Sequence, residues 1–269
     1  MIMLSRHDRR SGCAAILNHA RVIEQEPCQT GKMAEFRGSY SLQTSLETSP
    51  QRRGGEVSKS AAESVPASGG RGGARNKADR ESHALTADQV ANLIAATRHA
   101  SAIGLPLNRM ITIHWERTGI PLAGMAKATG RFLDLMAKAI ARRGGRLAWL
   151  WVHESVDTKG GHCHMLVHLP AELAPIVPEL QKGWLRVITG RPYRARVICG
   201  KPIGGRLGLD VSNPALHEAN LAHALAYFLK GAHADAARQF ELVRLEPGGR
   251  VIGKRCGISQ NIGPKARLS

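Results

Sequence analysis

The chain has 269 residues, 43% of them hydrophobic, and a formal net charge of +17. That length supports one good core rather than several domains, and that charge points to phosphate-rich partners and salt-sensitive binding. Aromatic residues at 4% argue against a broad base-stacking platform, and five cysteines without a C-x-x-C pair argue against a disulfide framework or structural zinc site.

Residues 1–83 read as a disordered extension. Arg37 to Ser82 is rich in Ser, Gly, Arg, Glu and Gln, and buries too little apolar surface to offset its ordering entropy. No continuous apolar stretch marks a signal peptide, and no run approaches the ~18 residues of a membrane span, so a cytoplasmic protein with reduced thiols and no membrane partner is expected.

A folded domain is expected over 84–232. Thr86 and Gln89 form a capping box that starts a helix running to about Ala102. Met110 to Trp115 reads as a strand, Leu122 to Arg142 as a helix, and Leu147 to His153 as a second strand. A turn over Asp157 to Gly161 leads to a third strand, Cys163 to Leu169. A helix over Glu172 to Val187, interrupted by Pro175 and Pro178, precedes a fourth strand over Tyr193 to Cys199, in which Arg194 and Arg196 alternate. Asn213 and Pro214 open a last helix reaching Gly231. Residues 233–269 read as a basic, Gly-rich tail, with six Lys/Arg against one acid from Arg244 onward. The order β-α-β-β-α-β plus a helix predicts an α+β, ferredoxin-like (RRM-like) antiparallel sheet, with helices on one face and the other free for a site.

Two features carry chemistry. In a strand, residues two apart share a face, so His162 and His164 point the same way with Cβ atoms roughly 6–7 Å apart, within reach of one ion. Cys163 between them then points into the core. A hairpin brings Glu154, at the end of the preceding strand, beside His162. Two imidazoles and a carboxylate leave open positions for water and phosphate oxygens; such a site suits Mn²⁺ well and Mg²⁺ tolerably, and Zn²⁺ is compatible. The bland alternative is a surface histidine pair on a sheet. His114 is a candidate neighbour of the site, and His168 lies further along the same face. The second feature is Tyr227 with Lys230 one helical turn later, where the ammonium can lower the phenol's pKa or hold phosphate charge. Its alternative is a core tyrosine with a solvated lysine. Gly248 to Lys254 matches most of a P-loop, but Arg255 replaces the Mg²⁺-binding hydroxyl, so an ATPase is rejected.

Together, Met110 to Trp115, His162-Cys163-His164 and Tyr227-Phe228-Leu229-Lys230, in that order, resemble the motifs of the HUH endonuclease superfamily, specifically the single-tyrosine initiators (Rep) of rolling-circle replication. The resemblance covers about Leu107 to Gly231, with Cys163 an unusual middle residue and Glu154 at the place of the family's acidic ligand. It implies metal-dependent, site-specific nicking of single-stranded DNA or an origin hairpin of a plasmid or phage. Tyr227 would form a 5′-phosphotyrosine, Lys230 would stabilise charge, and His162, His164 and Glu154 would hold Mg²⁺ or Mn²⁺. Arg194, Arg196, Lys254 and Arg255, with Lys265 and Arg267, would contact DNA, and any helicase would be a separate protein. An HUH-type transposase of a mobile element shares the motif order. A non-catalytic basic nucleic-acid-binding protein shares the charge.

Overall fold

The computed structural model describes residues 80–269; the expected disorder of residues 1–79 lies outside them. Glu81–Ser82 forms a short strand, β1, so the fold begins earlier than residue 84. Thr86 and Gln89 close the expected capping box on α1 (Ala87–Ala102), each side chain bonding the other's main-chain N–H. There follow β2 (Arg109–Ile113), α2 (Met125–Ala141), β3 (Ala148–Val156), β4 (Gly160–His168) and α3 (Val177–Thr189). Next come β5 (Ile198–Pro202), α4 (Leu209–Ser212), α5 (Pro214–Phe228), α6 (Ala234–Gln239), β6 (Val251–Ile252) and β7 (Cys256–Ile258). No helix among the described residues is long and apolar enough to cross a membrane.

The α+β class stands. A five-stranded antiparallel sheet runs β5-β2-β4-β3-β7, and its first four members reproduce the ferredoxin-like order, fourth-first-third-second. Period-two alternation divides the sheet cleanly. Ile111, Ile113, Cys163, Met165 and Val167 meet Met125, Phe132 and Met136 of α2 and Trp184 of α3. Leu150, Val152 and Leu166 on the reverse face meet Val90, Leu93 and Ala96 of α1 and Leu221 and Phe228 of α5. The second face, expected to be bare, is therefore partly roofed by α1 and α5. The capping box correctly starts α1, but nothing local in the sequence says which face its apolar side will cover.

Two other expectations are corrected. The fourth strand is Ile198–Pro202, not Tyr193 to Cys199, because residues 193–197 turn and Arg196 takes a left-handed φ of 65°. β5 pairs on one side only, where Pro202 is tolerated despite its missing N–H. Residues 233–269 are not a tail. They supply α6, pair β6 with β1, and add β7 as a fifth strand against β3. Arg255 holds this segment in place: its buried guanidinium donates to the carbonyls of Ser82, His153, Gly248 and Gly249. Gly249 takes φ +68° with its Cα so near Ser155 that a Cβ would overlap the Ser155 carbonyl oxygen. Arg255 was expected on DNA; its guanidinium is instead committed to main-chain carbonyls.

Arg255→Ala strips donors from several buried carbonyls at once and should cost roughly 3 kcal/mol of stability. The measurement is the denaturant midpoint, with an unchanged midpoint contradicting the anchoring role.

Candidate metal centre

The site is built on the roofed face. The β3–β4 hairpin sets Glu154 opposite His162, and His164 lies between Val152 of β3 and Thr112 of β2. Glu154, His162 and His164 are all buried, and one ligand atom from each lies within 4.8 Å of the others. Both imidazoles aim Nε2 at Glu154 Oε2, at 3.4 Å from His162 and 3.6 Å from His164. Atoms that share one ion at ~2.1 Å stand about 3.0–3.4 Å apart, so the spacing fits coordination better than direct hydrogen bonding.

The far ring nitrogens explain the aim. His162 Nδ1 lies 2.8 Å from the Gly160 carbonyl, which can only accept, so Nδ1 carries the proton and Nε2 keeps its lone pair. His164 Nδ1 is 2.8 Å from Thr112 Oγ1; the same tautomer donates to that hydroxyl. Such bonds fix tautomer and ring plane in metal-binding histidines. Two buried atoms, His164 Nε2 and Glu154 Oε1, have no hydrogen-bond partner. Unsatisfied acceptors within a buried group of two imidazoles and a carboxylate fit a divalent cation.

Electrostatics reinforce this. Burial would push the Glu154 carboxyl up, but its contacts with His162 and His164 and the charge of Lys230 outweigh it and hold the group well below the ordinary carboxylate range. Burial pushes His164 down to about 4, and His114 likewise to about 4. His114 stands beside the triad, its ring centroid 5.5 Å from that of His162. His168 bonds the Pro106 carbonyl at the other end of β4, and His153 points to the opposite face, bonded to Thr129 and the Lys254 carbonyl. His223 is exposed on α5.

Tyr227 is brought to the triad. Its ring centroid is 5.3 Å from that of His164, packed edge to face. α5 ends at Phe228, so Lys230 sits in the following turn rather than on the helix, with its ammonium 4.8 Å from the Tyr227 ring centroid. Lys230 is buried and donates to Glu154 Oε2, with Glu246 Oε2 3.9 Å away. The expected lowering of the phenol's pKa is not found. Burial, Glu154 and Glu246 push Tyr227 up to about 12, opposed by Arg244, whose guanidinium stands 5.0 Å from the ring centroid. Sequence reasoning missed Thr112, Arg244 and Glu246. Arg244 and Glu246 lie on an irregular segment, and no periodicity links it to Tyr227.

The expected DNA-contacting arginines fall elsewhere. Arg194 and Arg196 are exposed in the turns before β5, where Arg194 donates to the Arg117 carbonyl. Lys254 is exposed at the β6–β7 turn, 5.8 Å from the Trp151 ring centroid. Cys163 is a buried core residue whose thiol burial pushes up.

Compared with known proteins, the chain matches no family model, no curated protein and no solved structure.

Thr112→Val keeps shape but removes the acceptor that orients His164. Divalent-ion affinity, read by calorimetry, should fall roughly 10–100-fold while the fold persists; equal affinity would show that the hydroxyl does not orient the ligand.

A pH dependence follows from His114, His153 and His164, which burial lowers from 6.5 to about 4, about 3 and about 4. Between pH 6.5 and about 4 the unfolded chain binds protons at these positions that the folded chain refuses, so stability is full above 6.5 and is lost as pH falls through that window. Thermal midpoints in chelator at pH 7.5 and below should show that decline; a flat profile would contradict it.

Proposed function

We propose that the protein is a metal-dependent endonuclease that nicks single-stranded DNA through Tyr227 and initiates rolling-circle replication of a plasmid or phage. The observation that carries this reading is the Tyr227 ring 5.3 Å from His164, beside three convergent ligand groups. A phenol beside a metal-ligand triad in a chain of net charge +17 suits phosphoryl transfer on a polyanion better than a structural role. The motif order supports the comparison with single-tyrosine initiators, and because Arg255 breaks the P-loop-like run any helicase would be a separate protein.

Glu154, His162 and His164 would hold the ion, Mn²⁺ fitting two imidazoles better than Mg²⁺. When bound, it would supply Lewis acidity at the scissile phosphate and positive charge beside the phenol. Tyr227 Oη attacks phosphorus, the phosphorus–O3′ bond breaks, and the departing 3′ oxygen takes up a proton while the phenol gives one up. The 5′-phosphotyrosine keeps the bond energy needed to rejoin a strand. Lys230 and Arg244 flank the ring and are placed to meet charge that builds on the phosphoryl oxygens.

With Mn²⁺ and a single-stranded oligonucleotide, Tyr227→Phe should abolish the covalent protein–DNA adduct on a denaturing gel. His164→Ala should lose Mn²⁺-supported nicking while keeping much of the DNA affinity. A Tyr227→Phe protein that nicks at full rate would remove Tyr227 as nucleophile, and unchanged nicking by His164→Ala would remove the ion site from the reaction.

A further inference from the structure

A cavity of about 920 Å³ opens along the outer edge of β7, between the start of α1 and residues 260–266. Among the described residues, four basic ones line it, Arg80, Lys254, Arg255 and Lys265, and no acidic one does. Arg255 is committed to main-chain carbonyls, but Arg80, Lys254 and Lys265 form no ion pair among the described residues. Three uncompensated cations around one concavity concentrate positive potential there.

The edge itself adds donors. β7 is outermost in the sheet, and it bonds β3 through Arg255, Gly257 and Ser259. In an antiparallel pair the intervening residues, Cys256 and Ile258, turn their main-chain N–H groups to the open side. Gly253 and Gly263 lie on the same wall, while the Trp151 indole packs where a Cβ at Gly257 would sit. Among the described residues no aromatic side chain lines the cavity to offer a base a stacking partner. Cations, outward N–H groups and no stacking platform match a phosphodiester backbone, held without regard to sequence.

We propose that this cleft is a binding track for the backbone of single-stranded DNA. That occupant rests on the proposed function. The 79 residues leading to Arg80 are themselves net basic, which disfavours that segment as the occupant.

The test is fluorescence polarisation of the full-length protein with a labelled oligothymidylate across ~50–200 mM salt. Replacing Arg80, Lys254 and Lys265 together with Ala should weaken binding ~10–100-fold and reduce the slope of log affinity against log salt by about 2, at about 0.7 per single-strand phosphate contact. Mn²⁺ affinity at the triad should not change. An unaltered slope and affinity would overturn the proposal. So would a substitution effect confined to a duplex oligonucleotide or to a poly-glutamate peptide, which would assign the cleft to duplex DNA or an acidic chain. His162→Ala combined with His164→Ala separates the two readings. If that protein binds the oligonucleotide with the full slope but the unmodified protein never nicks, the track stands and the nicking reading fails. Nicking with no salt response to the triple substitution is the reverse case.

Discussion

A carboxylate buried on the face of a sheet has to be neutralised, and Glu154 is such a carboxylate. Burying an isolated charge costs several kcal/mol unless partners surround it. The fold supplies His162 by direct strand pairing, His164 from two residues further along β4, and Lys230 from the turn after α5. Lys230 is buried as well, so the two side chains depend on each other. Removing Lys230 takes the ammonium away from a buried carboxylate, so the turn after α5 and the β3–β4 hairpin are tied together through this pair.

Glu246 gives Lys230 a second carboxylate neighbour. Lys230 Nζ sits 3.9 Å from Glu246 Oε2, while Glu246 Oε1 is bonded by Arg244. A divalent ion held by Glu154 would compete with the ammonium for the same oxygen, and Glu246 stands close enough to receive the ammonium. Lys230 can therefore stay compensated in either condition. The histidines are fixed separately from this exchange, because their Nδ1 atoms are anchored to the Gly160 carbonyl and the Thr112 hydroxyl. On the reverse face the Trp115 indole N–H donates to Thr129 Oγ1, that hydroxyl donates to His153 Nε2, and His153 Nδ1 donates to the Lys254 carbonyl. This chain links α2, β3 and the C-terminal segment directly beneath the triad.

What the sequence made legible was local. The shared face of His162 and His164 follows from the period of a strand, and the approach of Glu154 follows from a tight hairpin, since both depend on residues close in the chain. The capping box on α1 and the Asn213 cap on α5 are equally short-range. The failures are all long-range or against propensity. β5 uses Gly200, Lys201 and Pro202, poor strand formers that pairing with β2 holds in place. Residues 233–269 look polar and Gly-rich because their order comes from Arg255 and from edge pairing rather than from an apolar stripe. Arg244 and Glu246 reach Tyr227 only through that fold, so neither carries a sequence signal.

On the proposed reading, the same arrangement keeps Tyr227 chemically quiet until substrate is in place. Burial and two nearby carboxylates hold the phenol protonated, with its pKa up at about 12, and Arg244 only partly offsets them. A phenol in that state is a poor nucleophile. Its activation requires positive charge at the triad and a phosphate that draws Lys230 and Arg244 toward its oxygens. Those conditions coincide only when ion and DNA are both bound, so the carboxylate needed to hold the ion also suppresses attack in its absence.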